Sequence, residues 1–248
     1  MATILSTDSL NRQFGGVLAV NNACINVEEK KLKAIIGPNG AGKTTFFNVI
    51  TGRLPATSGR VFYMGKDITN KCPHELVKLG ICRTFQINSL FLGSTVFENV
   101  RIAKQAKSGG SYKIFSARES LSDVNEGTWA ILEQVGLKDQ AKALASELSY
   151  GDQRALELGI ALAGDPRVLL LDEPTAGMSQ GETERIAQLI KKLVKEITIV
   201  VVEHDVEMVM SISDNISVMN QGRIIAEGSP EEIRHNKSVQ EAYLGEEE

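Results

Sequence analysis

The run Leu32-Lys33-Ala34-Ile35-Ile36-Gly37-Pro38-Asn39-Gly40-Ala41-Gly42-Lys43-Thr44-Thr45 decides the fold. Gly37, Gly42, Lys43 and Thr44 fit the phosphate-loop pattern G-x-x-x-x-G-K-[ST]. The apolar stretch before it has the length and composition of a buried strand. After it, Phe46, Phe47, Val49 and Ile50 begin a helical apolar pattern. Strand, loop and helix form the context the motif needs. The glycines let the backbone close around phosphate oxygens at φ values other residues avoid. Loop N–H groups and the helix N-terminus then point at the anion. Lys43 adds a point charge for the terminal phosphates, and the Thr44 hydroxyl is placed to ligate Mg²⁺. Gly37, Pro38, Asn39, Gly40, Ala41, Gly42, Lys43, Thr44 and Thr45 together form the candidate nucleotide cradle.

A chain of 248 residues holds one large domain or two small ones, and 42% hydrophobic content fills a sizeable core. A net charge of -4 argues against a general nucleic-acid binder, which is usually basic. Cys24, Cys72 and Cys82 are odd in number and lack zinc-like spacing, so they read as thiols in a reducing compartment. The opening MATILSTDSL lacks the basic and apolar regions of a signal peptide. The longest apolar runs, such as 197–202, are strand length and too short to span a bilayer. Any membrane part is expected from another chain.

Residues 2–27 alternate apolar and polar positions, which predicts short antiparallel strands. A strand at 59–63 leads into a turn at Met64-Gly65-Lys66-Asp67. Pro73–Leu79 reads as a short helix with Pro in its first turn, and 81–85 as another strand. From about 96 to 164 the periodicity is helical, broken at Ser108-Gly109-Gly110-Ser111. Strands return at 168–171, 197–202 and 216–219. Between the first two, Ile186, Leu189, Ile190, Leu193 and Val194 line one helical face. Asn220-Gln221-Gly222-Arg223 reads as a hairpin turn, and Ser229-Pro230-Glu231-Glu232 as a helix start. The fold class expected is α/β: a phosphate-loop NTPase core with a mainly parallel sheet, an N-terminal antiparallel β subdomain and an inserted α-helical subdomain. Within one domain, the core spans 1–87 and 161–228, the insertion about 88–160, and a C-terminal helical tail 229–248.

Val168-Leu169-Leu170-Leu171-Asp172-Glu173 is an apolar strand ending in two acids. Ligands of parallel α/β sheets sit at the carboxyl ends of strands. Asp172 would face the Mg²⁺ of a nucleotide, and Glu173 would orient or deprotonate an attacking water. Alone the pair is equally a solvated strand end; the phosphate loop tips it toward chemistry. His204 follows the 197–202 strand, at a further carboxyl end, placed to donate to a γ-phosphate. A lone histidine is more often structural, and His74 and His235 read as surface residues. Leu148-Ser149-Tyr150-Gly151-Asp152-Gln153 precedes a helix from about Gln153 to Ala163, with Leu156 and Ile160 on its buried face. Ser149 can cap it and Gly151 permits close backbone approach, which suits an anion. On spacing alone this is a plain helix cap. Gln86, just after the 81–85 strand, is a weak candidate ligand for Mg²⁺ or the attacking water.

In this order GPNGAGKTT, Gln86, LSYGDQ, LLLDEP and His204 resemble the ATP-binding subunits of ABC transporters. The likeness covers essentially the whole chain, and the pairing of LSYGDQ with LLLDEP is its specific part. It implies an ATPase that uses ATP and Mg²⁺. It also implies a partner ATPase subunit, identical or a sister chain, with two ATP molecules bound head to tail between one phosphate loop and the other's LSYGDQ segment. By position, Thr45 would support the phosphates beside Lys43 and Thr44. Gln86 would sense γ-phosphate and contact the membrane partner. Ser149 and Gly151 would bind γ-phosphate across the dimer. Asp172 resembles the Mg²⁺-organising acid, Glu173 the catalytic base and His204 the switch histidine. Phe14 stands where the family places an aromatic on adenine, the alternative being a core phenylalanine. Tyr150 and Asp152 depart from the usual LSGGQ, and Ser179 stands where many members have Asp. If Tyr150 needed φ > 0 it would be strained; an ordinary backbone with its ring at the interface is the expectation.

LSYGDQRALELGIAL, AGMSQGE and VQEAYLGE are similar to the ATPase subunits of branched-chain amino-acid-type importers. This implies import of branched-chain amino acids or related small organic solutes and two transmembrane permease subunits. An extracytoplasmic solute-binding protein would be met only indirectly, with no nucleic-acid partner. The location implied is peripheral, at the cytoplasmic face of the inner (plasma) membrane. The YLGE ending also occurs in lipopolysaccharide-export ATPases, and length alone leaves open an iron–sulfur assembly accessory. Chromosome-organising relatives need coiled-coil heptads in the insertion, which are absent, and translation relatives usually carry two cassettes.

Overall fold

The computed structural model describes residues 2–84, 90–107 and 117–244. The strands are β1 (Thr3–Phe14), β2 (Val17–Glu28), β3 (Leu32–Ile36), β4 (Ser58–Tyr63), β5 (Lys66–Asp67), β6 (Ile81–Arg83), β7 (Val168–Asp172), β8 (Thr198–Val202), β9 (Asn215–Asn220) and β10 (Arg223–Gly228). The helices are α1 (Lys43–Ile50), α2 (Pro73–Leu79), α3 (Val96–Lys107), α4 (Ala117–Gln134), α5 (Tyr150–Leu162), α6 (Gln180–Leu193), α7 (Val206–Ile212), α8 (Pro230–Arg234) and α9 (Lys237–Leu244). Among the described residues the strands build two sheets. One is antiparallel with order β2-β1-β4-β5; the other has order β10-β9-β3-β8-β7-β6. In the second, β9, β3, β8, β7 and β6 run parallel, and only β10 is antiparallel, on β9.

Alternation along the parallel strands sorts their side chains into two layers. Leu169, Leu171, Ile199 and Val201 join one core with the helices α3, α4, α5 and α6. Val168, Leu170, Val200 and Val202 join the other, with α1 and the antiparallel sheet. Phe46, Phe47, Val49 and Ile50 of α1 are all buried there. Parallel pairing brings the carboxyl ends of β3, β8, β7 and β6 to one edge, so Gly37, His204, Asp172 and Arg83 start close together.

The N-terminal strands are longer than the alternation predicts: β1 and β2 run twelve residues each and form one hairpin. Their register shifts repeatedly, and Ser9 and Asn22 adopt positive φ, so bulges break the alternation into short pieces. The 168–171 and 216–219 strands, the Pro73–Leu79 helix and the Gln221-Gly222 turn fall where the sequence places them. α5 starts earlier than expected, at Tyr150 rather than Gln153. Ser149 is its N-cap, so the residue after it is already helical. Leu156 is fully buried there, whereas Ile160 is half-buried.

Lys33, on the central strand β3, is 2% exposed. Its ammonium donates to Asn215 Oδ1 at 2.7 Å and pairs with Glu227 Oε1 at 2.8 Å. Burial lowers its pKa, and the Glu227 carboxylate opposes that shift. Removing one partner of such a pair leaves a buried charge uncompensated, at about 3 kcal/mol or more. Glu227→Ala is therefore expected to lower the denaturation midpoint clearly. Adding Lys33→Met should recover most of the loss. Equal midpoints for the single and double variants would show that the ion pair is not what holds this strand pair.

Candidate active site

The loop after β3 is wedged against its neighbours. A Cβ on Gly37 would lie 2.0 Å from Met219 O, and one on Gly42 would lie 2.3 Å from Ala19 O. Gly42 also has φ +99 and is the N-cap of α1, with no side-chain hydrogen bond to the first turn. The first N–H groups of α1 are thus left without a side-chain cap, as an anion site requires. Lys43 is buried, and its ammonium donates to Gly37 O at 2.5 Å and Pro38 O at 2.8 Å. Thr44 is exposed and Thr45 half-buried. Outside the loop, a cleft of about 320 Å³ separates Pro38–Ala41 from Glu241 and Ala242 of α9.

Asp172 ends β7 fully buried, and Glu173 leaves the strand with φ +48. The Glu173 N–H donates to Val202 O at 2.8 Å, which ties the exits of β7 and β8. Glu173 Oε1 lies 2.7 Å from His204 Nε2. A non-glycine residue held in the left-handed region is the kind of backbone strain that clusters at functional sites. The structure thus brings together two residues that are 31 positions apart in sequence.

Three partners of this set are invisible in sequence spacing. Glu203 is 3% exposed and accepts from Thr175 N–H at 2.9 Å, Thr175 Oγ1 at 2.5 Å and His204 N–H at 2.9 Å. It fixes the loop after Glu173 to the loop carrying His204. Arg83 donates to Asp172 Oδ2 at 2.6 Å from the end of β6. Burial lowers the Arg83 pKa, and the bond to Asp172 opposes that shift. Glu182, third residue of α6, accepts from Ser179 N–H and Oγ and from Gly151 N–H at 3.1 Å. The Ser179 and Gly151 donors lower its pKa.

The start of α5 is a cluster of its own. Ser149 Oγ accepts from Asp152 N–H at 3.2 Å and donates to Asp152 Oδ2 at 2.9 Å. Asp152 also pairs with Arg185 at 2.7 Å. Its burial raises the pKa, but donors from Ser149, Gln140 and Arg185 outweigh this and lower it. Tyr150 has a helical backbone, not a positive φ. Its hydroxyl donates to Ala176 O at 3.0 Å and accepts from Arg154 at 2.9 Å. The ring is 40% exposed, and its hydroxyl fastens α5 to the loop before α6. Ser149 and Gly151 thus bond within their own cluster. Phe14 is 43% exposed, not a core residue, with the Arg12 guanidinium 4.4 Å over its ring. Gln86 lies outside the described residues.

Residues 20–176 match the sequence profile described as ABC transporter. The chain is an ATP-binding cassette of the ABC transporter family. Residues 223–248 of the cassette match a second profile, described as branched-chain amino acid ATP-binding cassette transporter. The cassette is 41% identical over 250 residues to the high-affinity branched-chain amino acid transport ATP-binding protein LivG of Salmonella typhimurium, covering 98% of both chains. It is 42% identical, at the same coverage, to BraF of Pseudomonas aeruginosa, which carries the same description. A crystal structure of the ADP conformation of an ABC transporter cassette superposes with a TM-score of 0.87 at 36% identity, over 99% of the cassette and 100% of that chain. The cassette is thus a nucleotide-binding ATPase.

The donor set suits a magnesium ion carried by nucleotide phosphates. Thr44 offers an exposed hydroxyl, and Asp172 Oδ1 is buried with no hydrogen-bond partner among the described residues. Among those residues no group of three or more His, Cys, Asp or Glu is placed to hold a metal.

Proposed function

We propose that the cassette is the ATP-hydrolysing motor subunit of an importer for branched-chain amino acids or related small organic solutes. The carrying observation is that whole-chain relatives and a family profile at the C-terminal end agree on one transporter type. Identity of 41–42% extends over nearly the full chain, and its end, residues 223–248, also matches the branched-chain profile. The lipopolysaccharide-export and iron–sulfur readings have no comparable support. Among the described residues no helix is long and apolar enough to cross a membrane. Two permease subunits would supply the membrane path and hold the cassette peripherally at the cytoplasmic face. Exposed Phe91 and Leu92, a few residues past Gln86, are candidates for that contact.

In this reading the Gly37–Thr45 loop holds the phosphates. Lys43 turns from the carbonyls of Gly37 and Pro38 to the terminal phosphates, whose charged oxygens accept stronger hydrogen bonds than those carbonyls do. Thr44 and Asp172 would hold magnesium, which would supply positive charge against the phosphates. Glu173 accepts a proton from the attacking water, and His204 orients its carboxylate. Phe14 offers its second ring face to adenine. Ser149 and Gly151 address the nucleotide of a second ATPase subunit, identical or a sister chain, after leaving their present partners Asp152 and Glu182. Gln86 links the γ-phosphate site to the permease. The division into core, helical insertion and tail follows these roles.

Mild-detergent purification of the tagged chain from its own cells tests the reading. Two multi-span membrane proteins are expected to co-purify. Soluble partners alone, at good yield, would overturn the transport reading and leave the ATPase standing.

A further inference from the structure

We propose that Arg83 is a positioning residue for magnesium: it holds Asp172 by one carboxylate oxygen and so leaves the other to the metal. This rests on the reading of Asp172 as the metal-binding acid. The side chains of Arg83 and Asp172 are 7% and 0% exposed, and their ion pair is 2.6 Å. A carboxylate so buried needs a cation beside it. Arg83 supplies one while using a single oxygen, Oδ2. Oδ1 stays buried and makes no hydrogen bond among the described residues.

The guanidinium is itself fixed from three sides. Its Nη1 donates to Asn48 Oδ1 at 2.7 Å and to Thr51 Oγ1 at 2.8 Å, both on or at the end of α1. Its central carbon lies over the Phe47 ring, 4.9 Å from the centroid. α1 is the helix that begins with Lys43 and Thr44. Arg83 therefore joins the element carrying Thr44 to the strand end carrying Asp172. Two metal ligands on separate elements are set relative to each other by one rigid fork. A lysine has the charge but not the planar, multi-donor geometry for this. Groups of this kind, one bond behind a metal ligand, typically change metal affinity by 10–100-fold when altered.

The test is a Mn²⁺ titration of the ATP-loaded chain, followed by electron paramagnetic resonance, beside ATP affinity measured in EDTA. Arg83→Lys and Arg83→Met are expected to weaken metal binding by about tenfold or more and to leave metal-free ATP affinity unchanged. Asn48→Ala loosens Arg83 without removing a charge. It should shift metal binding the same way by a smaller factor, and it serves if the Arg83 variants fold poorly. A lower melting temperature with unchanged Mn²⁺ binding in these variants would make Arg83 structural only and overturn the proposal. Asp172→Asn separates the two readings. If it weakens Mn²⁺ binding while the Arg83 and Asn48 variants do not, only the Arg83 proposal falls. If it too leaves binding unchanged, the reading of Asp172 falls with it.

Discussion

Glu173→Gln should leave ATP bound and cut turnover by a hundredfold or more, because a positioned general base contributes about 10²–10⁴ in rate. The substitution keeps the size and shape of the side chain. Its amide can still meet His204 Nε2, where the carboxylate now lies at 2.7 Å. The backbone at φ +48 is set by the bond from Glu173 N–H to Val202 O, which the change does not touch. Stability should therefore move by no more than about 0.5 kcal/mol. What is lost is the ability to take a proton from water. Phosphate release under saturating ATP and magnesium measures the loss, with ATP affinity as the control. Hydrolysis at the wild-type rate would remove Glu173 from its role. Loss of both hydrolysis and ATP binding would mean that the residue supports the cradle instead.

Much of the fold could be read in the sequence because its signals are local. Leu32–Ile36, the glycines of the loop and the apolar start of α1 follow one another directly. Ser229 and Ser149 each sit where their caps form, although the residues after Ser149 look like loop and delayed the expected start of α5. The site was readable only as a list of strand ends. Parallel pairing makes it one place, with Glu173 on His204 and Asp172 at the exit beside it. The residues that escaped notice act at long range. Arg83 meets Asp172 across 89 positions, Glu203 meets Thr175 across 28, and Glu182 meets Gly151 across 31. No periodicity or spacing encodes such a pair, since each forms only once the sheet and helices are packed. Phe14 shows the same limit in reverse: a phenylalanine is usually buried, and only the packed structure shows this one exposed.

Lys43→Ala should weaken ATP binding by roughly ten- to a hundredfold. A hydrogen bond to a charged group contributes about 1.5–3 kcal/mol, and each 1.4 kcal/mol is a factor of ten. Two present acceptors of the ammonium, Gly37 O and Pro38 O, are neutral carbonyls. Phosphate oxygens offer a stronger acceptor at the same buried position, so the side chain gains by moving to them. Alanine removes that gain and leaves the loop N–H groups as the remaining anchors. Some affinity therefore persists, and it should fall less steeply with salt than that of the wild type, because one charge contact is gone. Calorimetric titration with ATP at two ionic strengths reads both effects. Unchanged affinity would mean that Lys43 braces the loop and does not contact phosphate. The two variants also divide the site between them: Glu173→Gln is expected to change the rate and spare the affinity, while Lys43→Ala changes the affinity first. A chain in which both variants altered only stability would have a phosphate loop by sequence and no phosphate site in fact.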